Sequence, residues 1–464
     1  GGKGDTVLRG GGGLFYNRAQ GNAEYDVIRL APNSYSASVD AWGGSGLGNG
    51  TGLTFDTLRL VDPYTRLGAQ SVVSINPDSI DYPRIATMSL SLARRIPFQQ
   101  VLEVAYVGSL ARHLQQRRKA NTIPEGFFLT NHPGIQSDLT VPVNRAALNS
   151  DLVNTFKPFP AFSEVTFVEY TGTSAYHSLQ VTLSRQTGKR LQYFLAYTFS
   201  KSLGTTTLNE NDGNGLDPLD PRTRSWGILP SDRTHVLNLS YNYTMPDLAP
   251  KAFNNGFTRG LLNGWQISGI STFSSGAPIK LRFDGPINTT NAGLAWAGTP
   301  SHNVSSGNTV GPVAPAFRGN PAKGGGAVGD HLFDINQVII PTFPDSGPYV
   351  SPFYLRSPSR MNHDITLFKN FKINEKQKLQ FRAGLFNAFN QAFATTTITN
   401  DIDFRLVTRC NVTRTGVPNG AGGTSDVCDP TQGYSFTDQT KQNFGKVNLL
   451  RGHRIVEFAL KYYF

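Results

Sequence analysis

The sequence of 464 residues is short of charge and of long apolar runs. Charged residues make up 16% of it, against about 25% in an average soluble chain, and hydrophobic residues make up 38%. No window approaches the roughly 18 consecutive apolar residues of a spanning helix, which excludes a helical membrane protein. A membrane β-barrel stays open, because alternating strands leave no hydropathy peak. The missing charge is replaced by 48 Gly, 28 Pro, 17 Tyr and 30 Phe, with many Ser, Thr and Asn. These are turn formers, strand formers and neutral polar groups, and the composition predicts an all-β chain.

Other absences narrow the chemistry. The chain opens at Gly1 with neither a basic n-region nor an apolar h-region, so any targeting segment is expected upstream or already removed. The net charge of +11 is scattered, and its densest run is Arg117-Arg118-Lys119; without a concentrated basic face, no nucleic-acid partner is expected. The eight histidines contain no H-E-x-x-H, H-x-x-E-H or close pair, so neither a metal centre nor a cofactor is expected. "NENDGNGLDPLD" at 209–220 would put Leu208 and Leu219 at ligand positions of a calcium loop and reads as a solvated loop. "GGSGLGNG" from Gly43 lacks the Lys and helix of a phosphate loop and reads as a flexible turn. No catalytic constellation is found, and the chain is not expected to be an enzyme. The two cysteines, Cys410 and Cys428, share a Gly/Thr/Asp-rich stretch. An oxidised clip suits them better than metal binding or thiol catalysis, and closing such a loop would stabilise it by about 3 kcal/mol.

The residues present alternate with period 2. In "RIVEFALKYYF", Val456, Phe458, Leu460, Tyr462 and Phe464 share one parity, whereas Glu457 and Lys461 lie on the other. A helix would not segregate them so completely. The alternation recurs with Leu191, Tyr193, Leu195, Tyr197 and Phe199; with Leu237, Leu239, Tyr241 and Tyr243; and with Leu379, Phe381, Ala383 and Leu385. It is present as well in "HSLQVTLSRQ" and "IATMSLSLAR", and more weakly in "VLEVAYVG", "GWQISGISTF" and "HDITLFKNF". Each run is close to the about 9–11 residues of a tilted transmembrane strand. A soluble sandwich or propeller is the alternative, but its strands average about 5–6 residues. Length, small polar residues on the second face and aromatics near strand ends favour the membrane barrel.

Connections should then alternate between short periplasmic turns and long external loops. With Phe464 at the periplasmic end, residues 203–232, 276–361 and 391–452 are expected to be external. The turns at 94–100, 187–190 and 372–377 and the link at 246–263 fall on the periplasmic side. Continuing this alternation upstream demands one more strand between about residues 113 and 160, and strands in residues 17–80 stay unassigned. Lys369 shares parity with Ile365, Leu367 and Phe371. A mid-bilayer Lys would cost about 2–4 kcal/mol, so it is expected to snorkel at the periplasmic headgroups.

Several phrases, in order, resemble the barrel of TonB-dependent outer-membrane receptors, in particular the Oar-like group with a carboxypeptidase-regulatory-like domain. They are "TVLRGGGGLFYNR", "VLEVAYVGSLARHL", "AYHSLQVTLSRQTGKRLQYFLAYTFSKSL", "SDRTHVLNLSYNYTMP", "LLNGWQISGISTFSSGAP", "DITLFKNFKINEKQKLQFRAGLFNAFNQAF" and the strand ending in Phe464. The resemblance implies a bacterial outer-membrane location, insertion by the barrel-assembly machinery, contact with outer-membrane lipid, and uptake of an unknown ligand powered by the TonB complex. Such transporters have about 22 strands, and only roughly 12–14 of membrane length fit here. Residues 1–464 are therefore expected to be the C-terminal portion of a receptor barrel, a partial antiparallel transmembrane β-barrel with long extracellular loops. The signal peptide, N-terminal domain and plug of such a receptor are expected to lie outside these residues. An adhesive or structural barrel, or a passive porin, is the alternative. Val456, Phe458, Leu460, Tyr462 and Phe464 are the expected assembly signal. Trp226, Phe353, Tyr354 and Tyr434 are aromatics of the expected ligand loops.

Overall fold

The computed structural model describes residues 5–18, 21–30, 33–34, 70–79, 81–121, 157–186, 190–205, 226–249, 256–281, 283–284, 315–340, 353–374, 377–394, 401–418, 424–428 and 432–464. Ten long strands form one antiparallel meander. They are β1 (Thr6–Tyr16), β2 (Arg84–Ile96), β3 (Gln100–Lys119), β4 (Phe162–Arg185) and β5 (Leu191–Gly204). The series continues with β6 (His235–Thr244), β7 (Trp265–Ser274), β8 (Arg360–Lys372), β9 (Lys378–Phe386) and β10 (Ile455–Tyr463). Each pairs with its neighbours in chain order, and two short strands added at the side make the sheet 12-stranded. Among the described residues no helix is long and apolar enough to cross a membrane.

Register decides what alternation alone could not, namely whether the apolar parities of separate strands join. Phe458 lies opposite Ala383, Ala383 opposite Leu367, Leu367 opposite Ile267 and Ile267 opposite Tyr243. Tyr243 in turn lies opposite Leu191. Further along the sheet, Leu195 pairs with Leu183, Leu183 with Leu102, Leu92 with Val104 and Leu8 with Leu92. A slip of one residue at any pair would turn that strand's apolar set to the other face. None occurs along these rows, so one continuous apolar face crosses all ten strands.

Hairpin lengths separate the two ends of the sheet. Short turns join β2 to β3, β4 to β5 and β8 to β9, while long connections follow β1, β3, β5, β7 and β9. The extra strand anticipated between residues 113 and 160 is not needed. β3 and β4 are 20 and 24 residues long and pair directly, so β3 runs outward, β4 returns, and the alternation of turns and loops closes. Both strands are about twice the length that crosses a bilayer. Their outer halves begin at the register shift between Ala111 and Leu114, where His113 has a left-handed φ of 55° and lies 3.0 Å from Asp81.

β1 and β10 are the edges of this sheet among the described residues. Nearly every residue of both is exposed, including Leu8 at 69% and Phe458 at 71%. A long exposed edge leaves a row of ladder groups without partners, and natural sheets cover or close such edges.

Candidate functional site

The face opposite the apolar one is lined by small polar groups. Asn238, Ser240, Asn242, Gln266, Ser268 and Thr272 stand on it in the middle of the sheet. Gln266 Nε2 donates to Asn242 Oδ1 at 2.7 Å and Ser268 Oγ to the same oxygen at 3.2 Å. On β8 to β10, Gln380 Nε2 donates to Asn370 Oδ1 at 2.8 Å. Arg382 Nε and the Tyr463 hydroxyl both donate to Gln380 Oε1, at 2.6 and 3.2 Å. Such a wall can hydrate or contact a polar solute, and it has no place in contact with lipid tails.

Above the sheet, the connections β7–β8 and β9–β10 fold into one platform. Ile279, Leu281, Leu332, Phe333, Val338 and Leu355 from the first bury themselves with Ile402, Leu406, Tyr434, Phe436, Phe444 and Val447 from the second. Leu406 and Val447 are fully buried, and each such side chain contributes about 1.5–3 kcal/mol of transfer free energy. The short strand Phe283–Asp284 of the first connection pairs with Leu406–Cys410 of the second, which pairs with Tyr434–Phe436. Asp401, without solvent exposure, receives both Arg451 Nε at 2.7 Å and Arg451 Nη2 at 2.9 Å. That pairing holds the Arg451 guanidinium above its ordinary pKa. Backbone N–H groups of Gly326 and Ala327 hold the Asp330 carboxyl below the usual range. Burial opposes ionisation of Asp403, but the Arg405 side chain and N–H outweigh it and its pKa falls.

The platform is bolted to strand ends. Asp232 Oδ1 accepts the Ser202 N–H of β5 at 2.5 Å, and its other oxygen is ion-paired with Arg356. Arg356 Nη1 also donates to the Gly276 carbonyl at 3.1 Å, just beyond β7. Across the β9–β10 connection, Asn387, at a φ of 50°, donates its N–H to Asp364 Oδ1 at 2.8 Å and its side-chain amide to the Gly452 carbonyl. Asparagine tolerates this left-handed backbone better than branched residues do.

A second external cluster covers the outer halves of β3 and β4. The strand Gln70–Ile75 runs parallel to the start of β4, burying Val73 against Val168 and Val72 against Val165. The Glu169 carboxylate, 3% exposed, takes Arg118 Nε at 3.1 Å and Asn76 Nδ2 at 3.0 Å. A short helix, α1 (Gly21–Arg29), is tied on by Arg117 Nη2 to Asp26 Oδ2 at 2.6 Å. The Arg117 hydrogen bond, with a smaller one from Arg29, holds the Asp26 carboxyl below its usual pKa despite burial.

The anticipated residues are dispersed. Tyr434 is 7% exposed within the platform core and anchors packing, whereas Trp226 is 39% exposed in the β5–β6 connection. Phe353 and Tyr354 open the short strand Phe353–Arg356, paired with Pro278–Lys280; their side chains lie outside the described residues. Cys410 is disulfide-bonded, and Cys428 ends the strand Thr424–Cys428 of a hairpin with Thr413–Pro418. The segments 209–220 and 43–50 lie outside the described residues. Among the described residues no group of three or more His, Cys, Asp or Glu could hold a metal ion. The platform itself is not anticipated from the sequence; its signal is the apolar content of "HLFDINQVII" and "NFGKVNLL" inside Gly/Pro-rich loops.

A family model described as "Outer membrane beta barrel domain" matches residues 2–425. The chain belongs to this family. The barrel domain lies in the bacterial outer membrane, with its apolar face to lipid and its long connections outside. No curated protein matches it. Among solved structures it is similar to the outer membrane transporter YddB from Escherichia coli, at 11% identity and a TM-score of 0.32, covering 71% of this chain and 32% of that one. It is also similar to the ferric-catecholate import receptor Fiu from Escherichia coli, at 9% identity and a TM-score of 0.30, covering 78% and 29%. Pseudomonas aeruginosa FpvA bound to heterologous pyoverdines gives 9% identity and a TM-score of 0.30, covering 70% and 25%. The barrel domain thus spans about a third or less of the length of these structures.

Proposed function

We propose that this barrel domain is part of a TonB-dependent receptor of the Oar-like group, in which a ligand captured outside passes along the polar face with work supplied by the TonB complex. It is a binding and transport protein, not an enzyme. The observation that carries this reading is the folded platform bonded to the outer ends of the strands that form the polar wall. A pre-ordered surface there can recognise a solute without the entropic cost of ordering loops. Trp226, Phe353 and Tyr354 are the candidates for contact, with Tyr434 holding the surface from below. Ten strands with two exposed edges suit the C-terminal portion of a larger barrel whose plug lies elsewhere in the protein. In cells making the full-length protein, a photoreactive group in the periplasmic TonB domain should crosslink to it. Absence of any crosslink would move the reading to an adhesive barrel.

Two further assignments belong to this reading. Cys410 pairs with Cys428 as a clip in the platform loop; intact mass should rise by two alkylations only after reduction, and two free thiols in the unreduced protein would refute the clip. The terminal strand, with Val456, Phe458, Leu460, Tyr462 and Phe464 on its apolar face, is the signal to the barrel-assembly machinery. Deleting Phe464 should lower the outer-membrane yield, whereas unchanged insertion would exclude this role.

A further inference from the structure

Lys369 breaks the apolar face, and its partners show why. It stands opposite Trp265 on β7 and Phe381 on β9, yet it is only 3% exposed. Its Nζ donates to the Leu261 carbonyl at 3.0 Å and to the Asn263 carbonyl, and it lies 4.8 Å from the Trp265 ring centroid. Those carbonyls end a helix in the periplasmic link, α2 (Gly256–Leu262). The helix C-terminus is thus capped by a cation rising from the lipid-facing parity of β8, as the helix dipole favours. Trp265 Nε1 donates to the Leu261 carbonyl at 3.0 Å, and the Asn370 N–H donates to the Gly264 carbonyl at 3.0 Å. The Asn263 side chain accepts the N–H groups of Leu248 and Ala249, both at 2.9 Å. Residues 248–249 and 256–264 of the link are therefore tied to one another and to the apolar side of the barrel wall.

One face of α2 is apolar. Phe257 and Leu261, four residues apart on one helix face, are 78% and 55% exposed. Leu248 at 52% and Phe371 at 39% are further exposed apolar side chains on segments adjoining α2. Arg259 lies on the other side of the helix. Because Lys369 joins α2 to the apolar face of β8, this patch extends the surface that already faces lipid.

We propose that α2 is an interfacial anchor that seats Phe257 and Leu261 in the phospholipid of the inner leaflet, with Arg259 at the phosphate level. The link between β6 and β7 is longer than the other periplasmic turns because it carries this helix. An apolar helix face seated in that way lies about 5–10 Å into the headgroup and acyl boundary. It would fix the depth of the barrel at its periplasmic rim, where a receptor must hold station while being pulled from below.

The test is a depth measurement on the full chain in phosphatidylethanolamine/phosphatidylglycerol vesicles. Phe257→Cys, and separately Leu261→Cys, is labelled with an environment-sensitive fluorophore, with Asn374→Cys in the short β8–β9 turn as the aqueous reference. Labels at 257 and 261 should be quenched by lipids brominated near the headgroup and shielded from iodide, and the label at 374 should show the reverse. Quenching at both 257 and 261 by iodide as strong as at 374 would overturn the anchor, as would quenching at neither by brominated lipid, which would mean that the patch is covered by protein.

Discussion

Gly276→Val is expected to unfasten the external platform from the barrel. Gly276 follows β7 at the point where the chain leaves the membrane, and a Cβ there would lie 1.6 Å from the Ser357 carbonyl oxygen and 2.5 Å from its carbon. Both atoms are backbone, and the same two segments are tied by the Ser357 N–H to the Ala277 carbonyl at 2.8 Å, so no side chain can swing away to make room. Overpacking a site that can relax costs about 1–3 kcal/mol; one confined by backbone on both sides should reach the upper end or beyond. Hydrogen exchange at Leu406, Phe444 and Val447 should accelerate by about two orders of magnitude, as about 3 kcal/mol implies, while exchange within β6 and β7 stays slow. Unchanged protection in the platform would mean that this junction does not hold it.

Arg356→Ala is expected to have a comparable effect by a different route. Asp232 has no side-chain exposure, while Arg356 is 27% exposed. Removing the guanidinium leaves a buried carboxylate with the Ser202 N–H as its remaining described hydrogen bond. Breaking a buried pair from one side costs about 3–5 kcal/mol, largely the penalty of the orphaned charge. Partial exposure of Arg356 places the expectation at about 3 kcal/mol, read as a lower unfolding midpoint of the purified barrel. The Asp232→Asn, Arg356→Ala double variant should recover part of the loss, because the orphaned charge is gone. A double variant no better than additive would argue that packing, not charge, sets the cost.

The membrane-facing half of the fold is legible in the sequence because lipid imposes a rule on each strand separately. Leu237, Leu239, Tyr241 and Tyr243 alternate with Asn238, Ser240 and Asn242 whatever their neighbours are, and the register then places them beside Tyr197, Leu195, Tyr193 and Leu191. The platform follows no local rule. Ile279, Phe333, Leu406 and Val447 meet only because two connections separated by β8 and β9 fold on each other, so their apolar content reads as scattered loop residues until the pairing is known. Lys369 shows the boundary between the two cases. Its parity puts it on the lipid side near the periplasmic end, but instead of snorkelling to the headgroups it is buried on carbonyls more than a hundred residues earlier, which period alone cannot reveal. The outer halves of β3 and β4 were hidden for the same reason, since Arg118 and Glu169 look like surface charge until they are found paired beneath Asn76.

The most direct test of the two-faced wall is solvent and oxygen accessibility at consecutive single-cysteine spin labels from Val236 to Tyr243 in the bilayer-reconstituted full chain. Labels at 237, 239, 241 and 243 should favour collisions with apolar oxygen. Those at 236, 238, 240 and 242 should favour a water-soluble nickel relaxant, giving a clean period of two with this phase. Equal accessibility at all eight positions, or the opposite phase, would contradict a barrel wall with its Leu and Tyr row in lipid.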